Sequence, residues 1–300
     1  MLKEVVKLKP AIKDYIWGGS YFTKYGKGEG ILSELWELSV RDSDSSYIPS
    51  LNLRLDKAID NDDIGPVSKR FPYFPLLIKL IDAKENLSIQ VHPSDEYALK
   101  NENSYGKTEM WYILDNEPGA GLYVGLKRDY SKKEIEELLR NGKILDALNF
   151  FPVKRGDYFL IKSGTIHAIG KGVQLIEIQQ NSNLTYRLYD YDRTDKFGNK
   201  RELHIDKALD VINLNKYHRE ENNNSNKIGD TPYFQVEKID INKELTLEAS
   251  KDSFMSFTFI EGEGKVNDID YKIYDTFFLP YGKKCVIKGK GTIILSYLNK

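Results

Sequence analysis

Apolar residues in this chain fall in short runs broken by Gly, Pro, Asn and Asp, and the runs are rich in aromatic and β-branched side chains. Runs of that length and composition predict strands rather than helices. Strands are expected over residues 33–40, 76–83, 87–92, 109–114, 121–126, 157–162, 173–180 and 184–191. Two stretches carry a helical period instead. Ser131 and Glu134 have capping-box spacing ahead of Ile135, Leu138 and Leu139 on one face, and Gly142 supplies a stop. A weaker helical pattern covers 205–214. Many short strands with frequent turn signals point to a sandwich or a barrel.

The segment KYHREENNNSNKIGD, residues 216–230, is polar, Asn-rich and without an apolar period, so it is expected to be a linker. Strand-like patterning resumes over 231–300. A faint internal repeat crosses this linker: GDYFLIKSGTIH (156–167) can be laid over YDTFFLPYGKKC (274–285). Asp157 then falls on Asp275, Gly164 on Gly282 and His167 on Cys285. The expected organisation is therefore one lobe over 1–215, a linker over 216–230 and a second, related lobe over 231–300 that has lost the histidine.

Composition narrows the class of function. The chain has 300 residues, and 44 Lys plus Arg nearly cancel 45 Asp plus Glu. A net charge of -1 gives no electrostatic basis for binding nucleic acid or an anionic membrane. No run approaches the roughly 18 apolar residues of a spanning helix. The opening MLKEVVKLKP carries charges where a secretory signal needs an apolar core. The single cysteine, Cys285, excludes an internal disulfide and suits a reducing compartment. The cytoplasm is the expected location.

Chemistry concentrates on strands whose opposite faces are apolar. Side chains alternate along a strand, so in LSIQVHP the residues Ser88, Gln90 and His92 share one face. Lys107 and Glu109 share a face in GKTEMWYIL, Lys79 interrupts PLLIKLIDA, Glu177 sits with Gln179 in VQLIEIQQ, and Arg187 with Thr185 and Tyr189 in TYRLYDYDR. Burying these groups in a plain core is costly, whereas a polar, ligand-lined interior accounts for them. Two histidines and a carboxylate are a recurrent metal set with room for an exchangeable ligand. His92, Glu109 and His167 are expected to hold a divalent metal, with Gln90 as a fourth, oxygen ligand. Taken singly, these residues have plainer readings. Glu177 and Arg187 could form a structural ion pair, Lys79 could reach solvent along its stem, and Lys107 could be an exposed loop-end lysine. His204 and His218 are expected to be structural, and Cys285 a small buried apolar residue.

The order QVHP, KTEMWY, GTIHA and then an arginine about twenty residues on resembles the type I mannose-6-phosphate isomerases, in their shorter bacterial form. PAIKDYIWGG and ELWELS are also similar to that family, and the resemblance spans nearly the whole chain. GDYFLIKSGTIH further resembles the second cupin motif, G-x5-P-x-G-x2-H, with Lys162 at the proline position. The C-terminal copy keeps Pro280 and Gly282 but has Cys285 at the metal position. The resemblance implies a mainly β protein of two cupin-type jelly-roll β-barrel lobes with a few short helices, the second lobe degenerate and metal-free. It implies one zinc ion per chain on Gln90, His92, Glu109 and His167, and a catalytic role for Arg187. Lys79, Lys107 and Glu177 also match family active-site positions.

The implied reaction interconverts mannose 6-phosphate and fructose 6-phosphate through a cis-enediol, with a sugar phosphate as the partner molecule and a monomer or homodimer as the assembly. It requires an acid/base at C1 and C2, fixed positive charge for their oxygens and an anchor for the phosphate. Arg187 stays protonated, so its role is electrostatic. Glu177 is the candidate proton carrier, Lys107 a candidate in catalysis, and Lys79 and Lys107 candidates for phosphate or hydroxyl contacts. Two other readings use the same residues: a cupin oxygenase with non-haem iron, and a sugar-phosphate-binding regulator without turnover.

Overall fold

The structure is a computed structural model and describes residues 2–195, 197–220, 225–249 and 252–299. The chain is mainly β, in three sheets and a two-stranded ribbon. A six-stranded antiparallel sheet has the order Tyr158–Ile161, Glu109–Asn116, Val173–Gln180, Leu76–Ala83, Glu34–Leu38, Ala11–Lys13. A five-stranded sheet has the order Leu148–Pro152, Gly121–Leu126, His167–Ile169, Ile89–Val91, Tyr186–Tyr189. The C-terminal strands form an eight-stranded sheet.

The alternation within each strand stacks these sheets. In the central strands of the six-stranded sheet, Ile78, Leu80, Met110, Tyr112, Ile176 and Ile178 join a cluster with Phe234, Val236 and Phe278 of the C-terminal sheet and with Phe254 beside it. Their neighbours Ile81, Trp111, Ile113 and Leu175 face the other way, onto Leu122, Val124 and Ile169 of the five-stranded sheet. A sheet covered on both faces reads as continuous apolar sequence, which is why LLIKLIDA and VQLIEIQQ show little alternation. The outer face of the five-stranded sheet, with Ile89, Val91, Ala168 and Leu188, is capped by Ile135, Ala208 and Leu209. These come from the helices Lys132–Arg140 and Ile205–Val211, which lie where the sequence pattern puts them. The Ser131 capping box is formed on both sides.

The six-stranded and five-stranded sheets are not closed into barrels. They end in free edges at Ala11–Lys13 and Tyr186–Tyr189. Glu34 and Trp36 beside the first edge and Arg187 on the second line one cleft, and charged groups that need a ligand or water keep that seam from zipping up. The expected linker contains the strand Lys227–Asp230, which pairs with Phe234–Ile241, while residues 221–224 of it lie outside the described residues. The strand Val6–Leu8, early in the chain, pairs with Thr276–Leu279 in the C-terminal sheet.

The internal repeat extends to backbone register. Ile161 pairs with Glu109, and its counterpart Leu279 pairs with Met255. His167 pairs with Gln90, and Cys285 with Leu247. Gly164 N–H donates to His92 O at 2.8 Å, and Gly282 N–H to Ala249 O at 2.8 Å. Both glycines have positive φ, +82° and +71°, which the tight return between strands requires. Gln90, His92, Glu109 and His167 thus correspond to Leu247, Ala249, Met255 and Cys285, all members of one apolar core. Among the described residues, no helix is long and apolar enough to cross a membrane.

Candidate active site

His92, Glu109 and His167 converge between the two sheets of the first lobe. Glu109 projects from the six-stranded sheet, and His167 from the five-stranded sheet; His92 directly follows the strand Ile89–Val91. One potential ligand atom from each lies within 4.8 Å of the others, and all three side chains are buried. His92 Nε2 is 3.3 Å from Glu109 Oε1, and His167 Nε2 is 3.6 Å from Glu109 Oε2. The opposite ring nitrogens are fixed by carbonyls: His92 Nδ1 lies 2.7 Å from Leu184 O, and His167 Nδ1 2.8 Å from Thr165 O. Each Nδ1 must carry hydrogen to donate to its carbonyl, which turns an Nε2 lone pair toward Glu109 when the ring is neutral. Burial and the Lys107 charge push the His92 pKa down to about 3, and burial lowers that of His167.

Two imidazole lone pairs facing a carboxylate call for a cation between them, and that donor set fits a divalent metal. The Lys107 ammonium already lends positive charge here, in contact with Glu109 and 3.2 Å from His92 Nε2. Burial alone would raise the Glu109 pKa, but Lys107 and the imidazoles outweigh it and hold it well below the usual carboxylate range. Gln90 lies alongside, with its amide nitrogen 3.3 Å from His167 Nε2. A half-turn of that amide exchanges nitrogen for oxygen at the same point, so Gln90 can supply the fourth ligand.

A cleft of about 400 Å³ opens beside this cluster. Lys79 does not reach solvent. Its ammonium lies 3.1 Å from Glu177 Oε1 and 3.5 Å from Glu34 Oε2, and these carboxylates outweigh the effect of burial to raise its pKa. Trp111 Nε1 donates to Glu177 Oε2 at 2.8 Å. Burial, reinforced by the Glu109 charge, raises the Glu177 pKa against the pull of Lys79 and Lys107. Glu177 is therefore partnered by Lys79 rather than by Arg187. Arg187 Nε donates to Ser88 Oγ at 3.2 Å, and Ser88 Oγ to Gln90 Oε1 at 3.3 Å, which links the guanidinium to the metal set through one hydroxyl.

All the site residues expected from sequence thus border one region. Lys79, Gln90, Lys107, Glu177 and Arg187 line the cleft, and His92, Glu109 and His167 form the buried cluster beside it. His204 stays out of the cluster but lines the cleft, its Nδ1 accepting from Arg187 N–H at 3.3 Å. His218 borders a separate cavity of about 540 Å³. Sequence reasoning missed Glu34, Trp36 and Arg201, which also line the cleft. ELWEL carried a signal, since Glu34 and Trp36 alternate onto one face, and Trp36 Nε1 donates to Glu34 Oε2 at 2.7 Å. Arg201 follows a stretch with no strand pattern and had no such signal.

Comparison with known proteins agrees with this geometry. The family profile described as phosphomannose isomerase type I, catalytic domain, matches residues 5–120. Mannose-6-phosphate isomerase ManA of Bacillus subtilis is 34% identical over 320 aligned positions, covering 99% of this chain and 100% of that protein. A mannose-6-phosphate isomerase of Streptococcus mutans is 36% identical over 72% of this chain and 70% of its own length. The crystal structure of the Bacillus subtilis mannose 6-phosphate isomerase superposes with a TM-score of 0.85 at 34% identity, covering 98% of this chain and 99% of that one. The apo form of the Salmonella typhimurium enzyme shares the fold at a TM-score of 0.80 and 17% identity, with 100% of both chains covered. The match to the family profile and this full-length similarity together make the chain a member of the type I phosphomannose isomerase family.

Proposed function

We propose that this protein is a metal-dependent aldose–ketose isomerase that interconverts mannose 6-phosphate and fructose 6-phosphate through a cis-enediol. The observation that carries this reading is the convergence of His92, Glu109 and His167 beside the Arg187 guanidinium, which no carboxylate contacts among the described residues. Gln90, His92, Glu109 and His167 would hold the ion, taken to be one zinc per chain. When bound, it supplies Lewis-acid polarisation of sugar oxygens and fixed positive charge.

The chain's own groups do the rest. Arg187 stabilises the negative charge that develops on the C1 and C2 oxygens, because it is held in place before the reaction by Ser88 and Glu202. Glu177, raised toward neutrality and aimed by Trp111, carries the proton between C2 and C1. Lys79 and Lys107 orient substrate hydroxyls, and Lys107 also balances the Glu109 charge in catalysis. Residues 1–215 form the catalytic lobe in this reading. Residues 231–300 form a supporting lobe that binds no metal, joined to the first through 216–230.

A coupled assay with several hexose phosphates, run before and after chelation, tests the activity and its metal dependence together. Mannose 6-phosphate turnover that falls on chelation and returns with zinc is expected; turnover indifferent to chelation discards the metal role. His92→Ala and His167→Ala should purify without metal while His204→Ala keeps it, as elemental analysis will show.

A further inference from the structure

The cations of the cleft differ in how far they are already neutralised. Lys79 faces Glu34 and Glu177, and Lys107 is committed to Glu109. Among the described residues, the Arg187 guanidinium donates only to neutral acceptors, Ser88 Oγ at 3.2 Å and Glu202 O at 2.9 Å, through Nε and Nη1. Across the same cleft, Arg201 is gripped by buried Asp190, with Nε 2.7 Å from Oδ2 and Nη2 2.6 Å from Oδ1. That grip leaves Arg201 Nη1 without a hydrogen-bond partner among the described residues, as Nη2 of Arg187 is left.

Asp190 also contacts the Arg193 guanidinium, whose Nη1 is anchored 2.5 Å from Asn86 O. The Arg201 and Arg193 guanidinia therefore share one contacting carboxylate, which leaves one positive charge uncompensated by contact among the described residues. The Glu202 carboxylate is exposed and lies 3.8 Å from His204 Nε2. The backbone around Asp190 is strained in support of this arrangement. Tyr191 and Asp192 both have positive φ, 57° and 54°, in a turn closed by Arg193 N–H to Asp190 O at 3.1 Å. Consecutive non-glycine residues in that region are costly and persist where surrounding contacts over-determine them.

We propose that Arg201, positioned by Asp190 and acting beside Arg187, is the anchor for the phosphate dianion of the hexose phosphate. A phosphate monoester carries close to two negative charges near neutral pH, so it is drawn to the positive charge that Asp190 leaves uncompensated on Arg201 and Arg193. Its planar fork of donors suits phosphate oxygens better than a lysine point charge does. Asp190 is a positioning residue in this scheme and touches no substrate. The assignment rests on the isomerase reading for the identity of the sugar, but the anion site can be measured without it.

Two measurements on the full chain test it. In steady-state kinetics with mannose 6-phosphate, Arg201→Ala should raise KM about 10- to 100-fold, the scale of one lost charge-assisted contact, with a smaller fall in kcat and unchanged metal content. Arg201→Lys should recover part of that loss, and Asp190→Asn should raise KM without lowering kcat to the same degree. Titration with inorganic phosphate, read as competitive inhibition or as direct heat of binding, should weaken in parallel in Arg201→Ala. The remote Lys132→Ala should change neither quantity. A KM and a phosphate affinity within twofold of the parent in both Arg201 variants would overturn the proposal. If the parent protein bound phosphate through Arg201 but turned over no mannose 6-phosphate, the isomerase reading would fail while the anion site stood.

Discussion

At the scale of single residues, the cleft separates charges that hold structure from charges left over for a ligand. Arg187 belongs to the second kind, so Arg187→Ala should lower kcat at least ~10²-fold, the scale seen for removal of one preorganised charge, while elemental analysis finds the metal retained. Asp190 belongs to the first kind. Burial disfavours its charged form, but Arg201 and Arg193 outweigh burial and hold its pKa below the usual aspartate value. A folded pKa below the unfolded one, about 3.9, gives stability that is present above that value and is lost as the pH falls through the folded pKa. Asp190→Asn should therefore flatten the acid limb of stability below about pH 4, as denaturant melts across that range will report. Part of the candidate metal set is legible from strand alternation, since Gln90 and His92 share a face and Glu109 follows Lys107, whereas His167 follows the glycine turn of the repeated segment. Arg201 could not be read, since it reaches the cleft from an irregular segment and only the Asp190 contact aims it.

At the scale of elements, agreement between pattern and structure follows burial. Strands Leu76–Ala83, Gly121–Leu126 and Val173–Gln180 have the expected bounds, because apolar packing covers their whole length. The short strand Leu148–Pro152 carried no usable period and was not anticipated. Helix Asp95–Glu102 was also missed, since it buries only Ala98 and offers no apolar stripe. The opposite case is Lys132–Arg140, whose capping box was written in its first four residues. Ser131→Ala should cost about 1 kcal/mol of stability, measured by chemical denaturation, with kinetics unchanged because the helix covers the far side of the five-stranded sheet. The mainly β fold class holds, but the sheets do not close into barrels, for a related reason. Alternation specifies which face of a strand is buried, but it does not say whether the last strands meet, and here a charged cleft separates them.

At the scale of the whole molecule, the largest apolar cluster joins strands from both sides of residue 216, so the two lobes share a core rather than merely touch. Phe278 is fully buried in that cluster. Phe278→Ala should cost about 3–5 kcal/mol and lower the melting points of residues 1–215 and 231–300 together, in one transition by both tryptophan fluorescence and loss of activity. Two separate transitions would refute a shared core. The strand Val6–Leu8 sharpens the point, because its partner Thr276–Leu279 lies near the other end of the sequence. During synthesis on the ribosome, Val6–Leu8 is made long before its partner Thr276–Leu279, so this pairing cannot form until the C-terminal sheet has emerged. Until then the face of the six-stranded sheet destined for the shared core stays bare, and a nascent chain halted by a premature stop would leave that greasy surface for chaperones or proteases to find.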